Sequence, residues 1–187
     1  MNVARELRLE PWQLDSLERS FIGDATAWRD EFSQVKDVSG LVAERNLFRY
    51  VPTPVLVRLS TGAPSGALLR VLGAGLITGS KLSVSSAAAL PVALQNACAD
   101  FGVNIRIEAE AEWRRNAAGI DHSRVRLIGA GAKSLARATG GRPDLAIHDH
   151  AVTEAGQIEL LPFLKEQAIS ITGHRFGTLN PLTDQVI

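Results

Sequence analysis

Apolar and polar positions change period twice along the chain. The stretch "EPWQLDSLERSF" places Leu14, Leu17 and Phe21 on one side at helical spacing. "DATAWRDEFSQV" reads as a second helix, capped by Asp24, with Ala25, Trp28, Phe32 and Val35 as its apolar stripe, and "DVSG" breaks it. From Arg45 the period shortens. "RNLFRYVPTPVLVRL" reads as two extended segments separated by Pro52 and Pro54, because the residue before a proline is pushed out of the helical region. A regular alternation follows. Leu68, Val71, Leu72 and Leu76 share one face of a helix that Gly79 ends, and "KLSVSS" is a strand. "PVALQNACADFG" is a helix with Pro91 near its start and Gly102 past its end, and "NIRIEA" is a strand. "EAEWRRNAAG" is a short helix, "RVRLIG" a strand, "KSLARATGG" a helix and "DLAIHD" a strand.

Strands and helices that alternate with short connections predict an α/β fold: a Rossmann-like, mainly parallel sheet with right-handed crossovers. It occupies 38–150, after an N-terminal helical segment at 1–37 and before a C-terminal hairpin, flap and tail at 151–187. Buried parallel strands normally read as continuous apolar runs. Here Ile105 and Ile107 alternate with Asn104, Arg106 and Glu108, Val125 and Leu127 with Arg124 and Arg126, and Leu82 and Val84 with Lys81, Ser83 and Ser85. One sheet face is therefore expected to be thinly covered or wet. In the last segment, Glu154-Ala155-Gly156 suggests a hairpin, a helix-like piece with Pro162 follows, and "AISIT" is a strand. Leu160, Leu161, Phe163 and Leu164 form an apolar cluster beside Lys165 and Glu166, suited to packing on its own domain or on a neighbour.

Composition narrows the classes. With 187 residues and 45% hydrophobic composition the chain can build a real core. Lys+Arg and Asp+Glu are both 20, so there is no basic excess to attract nucleic acid. No apolar run reaches the roughly 18 residues of a membrane span, and no signal-peptide core is seen. The single cysteine excludes an internal disulfide framework and fits a reducing cytoplasm.

Candidate chemistry is sparse. "LIGAGAKS" resembles a phosphate-cradling loop, yet Ala132 precedes Lys133 where a P-loop needs glycine, and Ser134 stands at the third glycine position of a dinucleotide fingerprint. Gly129 and Gly131 then make a tight strand-to-helix turn, or, with Ser134, contact a nucleotide. Cys98 falls with Leu94, Ala97 and Phe101 on an amphipathic helix, which suits a small hydrophobe. His148 and His150 share a strand face, but His122 and His174 are distant in sequence and a metal needs three or four ligands. "GHRFG" offers a cation and an aromatic between glycines, a contact point for a partner or an anion.

The succession "RNLFRYVPTPVLVRL", "VLGAGLITGSKLSVSSAAALP" and "EAGQIELLPFLKEQAISITGHRFGT" resembles the C-terminal end of long, actinobacterial-type proline utilization A proteins, from about Val38 onward and most strongly over Glu154–Thr178. These join an FAD-dependent proline dehydrogenase to an NAD-dependent L-glutamate γ-semialdehyde dehydrogenase, and the resemblance implies a non-catalytic domain of the aldehyde dehydrogenase superfamily. The family's reactive motifs are missing. Cys98 lies in Asn-Ala-Cys-Ala rather than Gly-Gln-x-Cys, Glu159 is followed by Leu-Leu-Pro rather than Leu-Gly-Gly, and Ser85-Ser86 stand where Lys-Pro-Ser would be. Without a thiolate and a base, thioester chemistry has no route. The resemblance therefore implies no catalytic residue, no metal and no cofactor in this chain, with NAD and FAD held by the parent enzyme's dehydrogenase domains. Those domains are the implied partners, a homodimer is also compatible, and the implied role is that of a lid and oligomerisation element in substrate channelling. Leu160, Leu161, Phe163, Leu164, Ile169, Ile171, His174, Arg175 and Phe176 would form the interface. The alternative is a Rossmann-like small-molecule or nucleotide-binding module with Gly129, Gly131 and Ser134 at the ligand. Because the chain is short for such a parent, Met1 reads as a native start or as the boundary of an excised piece.

Overall fold

Helix α1 (Pro11–Ala27) starts where proline's fixed φ suits a first helical turn, with the Glu10 N–H donating to Gln13 Oε1 at 2.9 Å. It passes without a break into a π-helical turn at Trp28–Phe32. The computed structural model describes Val3, residues 6–175 and the pair 178–179. Asp24 begins no second helix: it sits inside α1, buried, and accepts two bonds from the Arg70 guanidinium at 2.6 and 2.8 Å. Gly23 alone is too weak a breaker to split the helix. The buried stripe is consequently Leu17, Ser20, Asp24, Ala27 and Phe32, while Ala25 and Val35 are exposed.

Strands β1 (Lys36–Asp37) and β2 (Glu44–Pro52) follow, and β3 (Val55–Leu59) turns into the second sheet. Helix α2 (Ser65–Ile77), β4 (Leu82–Ser86), α3 (Val92–Asp100), β5 (Asn104–Ile107), α4 (Glu110–Asn116), β6 (Arg124–Ile128), α5 (Ala132–Ala138) and β7 (Ala146–His148) complete the alternation. The parallel sheet has the order β5-β4-β3-β6-β7. All four pairings within it are parallel. This is the mixed α/β, Rossmann-like architecture that the periodicity predicts.

The two faces are covered unequally. Val55, Val57, Leu59, Leu82 and Val84 pack against Leu68, Val71 and Leu72 of α2 and Leu94 and Cys98 of α3. On the other face Val125 and Leu127 meet Trp113, Ala117 and Leu135 from α4, the turn after it and α5. Helix α4 is only seven residues long, and it leaves the second face of β4 and β5 open. There Ser83, Asn104 and Arg106 line a groove of 460 Å³, so the polar alternation does mark a wet face, confined to half of the sheet.

The segment after His148 departs from expectation. Glu154–Gly156 forms no hairpin. Glu154 is tied to α1 by Arg19 at 2.9 and 3.1 Å and by Ser16. The chain then makes the single helical turn α6 (Gly156–Glu159), resting so closely on α1 that a methyl at Gly156 would stand 2.7 Å from the Gly23 carbonyl oxygen. A 3-10 turn (Leu161–Phe163) leads into β8 (Leu164–Thr172), longer than "AISIT" alone, which pairs antiparallel with the whole of β2 from Pro52↔Leu164 to Glu44↔Thr172. With β1 on the other side of β2, this makes a three-stranded arm. A two-residue pair, β9 (His174–Arg175) with β10 (Thr178–Leu179), follows.

Candidate functional site

In an open α/β sheet, ligands bind beyond the carboxyl ends of neighbouring strands whose connections leave in opposite directions. Here that point lies between β3 and β6. It brings together the Ser60–Ala63 turn and the Gly129–Ala132 turn, the latter holding the glycines that the sequence singles out. Gly129 adopts φ +82°, and a Cβ there would meet Ala63 Cβ at 2.8 Å. Its glycine therefore serves both a left-handed turn and a close approach to the protein itself.

Two backbone donors at this point are engaged within the chain. The Ala132 N–H donates to Asp149 Oδ2 at 2.7 Å, and the Thr61 N–H donates to Glu110 Oε1 at 3.0 Å. Glu110 also faces the fully buried Arg58 guanidinium at 3.2 Å. Between Glu110, Trp113, Gly131 and Ser134 a cavity of 30 Å³ is left, space on the scale of one water molecule. Ser134 and Lys133 are exposed beside it. Two carboxylates of the chain's own thus occupy part of the crevice, while Gly131, Lys133, Ser134 and Arg137 also line a pocket of 640 Å³.

Behind it lies a buried ionic network that sequence reading missed. Arg126 and Glu159 are both fully buried, with guanidinium nitrogens 2.8 Å from Glu159 Oε1. Glu159 Oε2 accepts the Thr153 N–H at 3.0 Å, and Arg126 donates to the His150 carbonyl at 2.8 Å. Burial pushes the Asp24 carboxyl up, with the Arg70 pair pulling against it. The available signal was an arginine inside an apolar strand, in "VLVRL" and "RVRLIG", with no apparent reason to be there.

The remaining candidates separate. Cys98 is buried on α3, and burial pushes its thiol up. His148 and His150 do lie near each other. Burial, with Arg124, His150 and Arg126, lowers His148 to about 4. Burial also lowers His150, whose Nε2 stands 3.8 Å from Glu159 Oε2. His122 lines the groove on the open sheet face, and no group of three or more His, Cys, Asp or Glu side chains among the described residues could hold a metal.

The proposed interface residues divide. Leu160, Phe163 and Leu164 are spent in the chain's own core rather than presented to a partner, and the helix expected over them is a 3-10 turn and the start of β8. Leu161 is 43% exposed. Ile169 and Ile171 are half-buried on β8, and His174 is exposed. Arg175 is placed by its backbone in β9, and Phe176 lies outside the described residues.

The fold defines the class: a mixed α/β domain with a Rossmann-like, dehydrogenase-like parallel sheet. Among solved structures, the chain is similar to proline utilization A (PutA) from Corynebacterium freiburgense, with 31% identity, a TM-score of 0.61, and coverage of 96% of this chain and 15% of that one. It shares its fold with 3,6-anhydro-L-galactose dehydrogenase, solved in complex with NAP, at 15% identity and a TM-score of 0.54 over 78% of this chain and 34% of that one. The same holds for histidinol dehydrogenase from Elizabethkingia anophelis, at 10% identity and a TM-score of 0.52 over 78% of this chain and 37% of that one. No family model and no curated protein matches the sequence. Among the described residues, no helix is long and apolar enough to cross a membrane.

Proposed function

We propose that this chain is a non-catalytic, dehydrogenase-shaped domain of a proline-catabolic enzyme, acting through shape and contact as a lid and oligomerisation element. The observation that carries this reading is the 31% identity to proline utilization A, sustained over 96% of the chain, beside the mismatch of Cys98 and Glu159 to the reactive motifs of the family it resembles. Burial pushes the Cys98 thiol up, which disfavours a thiolate, and Asp149 and Glu110 accept from two backbone N–H groups at the crevice. NAD and FAD then belong to other domains of the parent. In this role the chain would help keep Δ1-pyrroline-5-carboxylate and its open semialdehyde between two active sites.

Contact is made by the β1–β2–β8 arm. Strand β8 has β2 on one side and, among the described residues, no strand on the other. Its open edge offers main-chain hydrogen bonds to an added strand, with Ile169 and Ile171 beside it. The test is capture of the proline dehydrogenase and semialdehyde dehydrogenase domains by this chain. Capture by the natural sequence, weakened at least tenfold by Ile171→Arg with an unchanged melting temperature, is the expected result. Equal capture by both proteins overturns the reading.

A further inference from the structure

The groove over the open face of β4 and β5 differs in kind from the crevice between β3 and β6. Its floor is polar where a parallel sheet covered on both sides would be apolar. The register Ser83↔Asn104 and Ser85↔Arg106 sets these side chains next to each other on one face. Its wall is built by Trp113 and Asn116 of α4, and its volume of 460 Å³ lies within the roughly 300–1,000 Å³ of small-molecule sites.

Part of this lining is fixed and part is unspent. Glu108 is 4% exposed, and its carboxylate accepts the Ser85 hydroxyl at 2.7 Å and the Asn116 amide at 2.8 Å. Arg58 stacks on the Trp113 ring at 4.9 Å from its centroid. By contrast, the side chains of Ser83, Asn104, Asp121 and His122 make no hydrogen bond among the described residues. Arg106 is 74% exposed and has only a long pair with Glu108, at 3.8 Å.

The free charges are separated along the groove. All five strands run parallel, so Asp121, which precedes β6, lies toward their amino ends, and Arg106, the third residue of β5, lies toward their carboxyl ends. At about 3.3 Å per residue, the two ends are roughly 7 Å or more apart. Arg142, which also acts on Asp121 through space, is committed to Asp144 and to the Ile120 carbonyl. Between the ends, Leu56, Ile120 and the edge of Trp113 provide apolar contact.

We propose that this groove is a binding site for a short linear zwitterion of the ω-amino-acid class. Its carboxylate meets Arg106, its ammonium meets Asp121 and the Asn104 amide oxygen, and its methylenes lie on Leu56 and Ile120. The site is independent of the lid reading and needs no partner domain.

The experiment uses the complete 187-residue chain, labelled with nitrogen-15, and follows amide shifts as 6-aminohexanoate, hexanoate or hexylamine is added separately up to about 20 mM. The expected result is saturable shifts at Ser83, Asn104 and Asp121–His122, with 6-aminohexanoate bound at least about fivefold more tightly than either single-charge analogue. Arg106→Gln and Asp121→Asn, both at exposed positions, should each remove that advantage without disturbing shifts elsewhere. No saturable shift with 6-aminohexanoate, equal affinity for the three compounds, or an advantage that survives Arg106→Gln would overturn the proposal.

Discussion

At the scale of single residues, the main energetic features are charges without water. Arg126 and Glu159 are both fully buried and form an ion pair. Removing one partner strands the other, so Arg126→Met should cost about 3–5 kcal/mol in urea unfolding, whereas Arg126→Met with Glu159→Leu should recover most of it. A double variant as unstable as the single one would contradict this. His148 gives the pH dependence. Its imidazole stays neutral in the fold down to about 4 but protonates near its ordinary value in the unfolded chain. The unfolded state therefore binds more protons between roughly pH 6.5 and 4, and stability falls as pH falls through that window, by about 2 kcal/mol after allowance for partial exposure. His148→Asn should flatten that part of the curve; identical slopes would show that His148 is not its source. Little of this was legible in the sequence. An arginine in a strand signals a buried partner, but Glu159 and Asp24 are supplied by elements remote from their partners, and only the fold pairs them.

At the scale of elements, local patterns worked where they were strong. The alternating units from Val55 to His148 appear nearly as read, because each carries its own turn glycine or proline. The N-terminal pair fused into one helix because Asp24 looks like a cap in sequence and is an ion-pair partner in space. The expected hairpin at Glu154 gave way to α6 because Gly156 lets backbone rest on backbone. Gly156→Ala should therefore lower stability by about 2 kcal/mol or more, since the nearest atoms belong to the main chain and cannot rotate away. An unchanged melting temperature would mean that α6 is not docked on α1. Phe163, predicted as an interface residue, is fully buried, so Phe163→Ala should cost about 3–5 kcal/mol of fold stability and is no clean probe of contact. A loss well below that would imply a looser core under β8.

At the scale of the whole molecule, the fold class was legible because helix and strand periods alternate with short connections. The strand order β5-β4-β3-β6-β7 was not, since crossover direction leaves no mark on composition. Nor were the contacts around the crevice: Gly129 approaches Ala63, and Asp149 accepts the Ala132 N–H. The polar alternation in β4 and β5 did announce an open face, and the structure locates it on the half of the sheet that the short α4 does not reach. The most direct measurement is NADH formation from proline by a proline utilization A enzyme lacking the segment that this chain resembles, with and without this chain added. The expected result is a shorter lag before NADH appears when the chain is present, and no NADH from semialdehyde and NAD with the chain alone. An unchanged lag, or turnover by the isolated chain, would contradict a role through shape and contact.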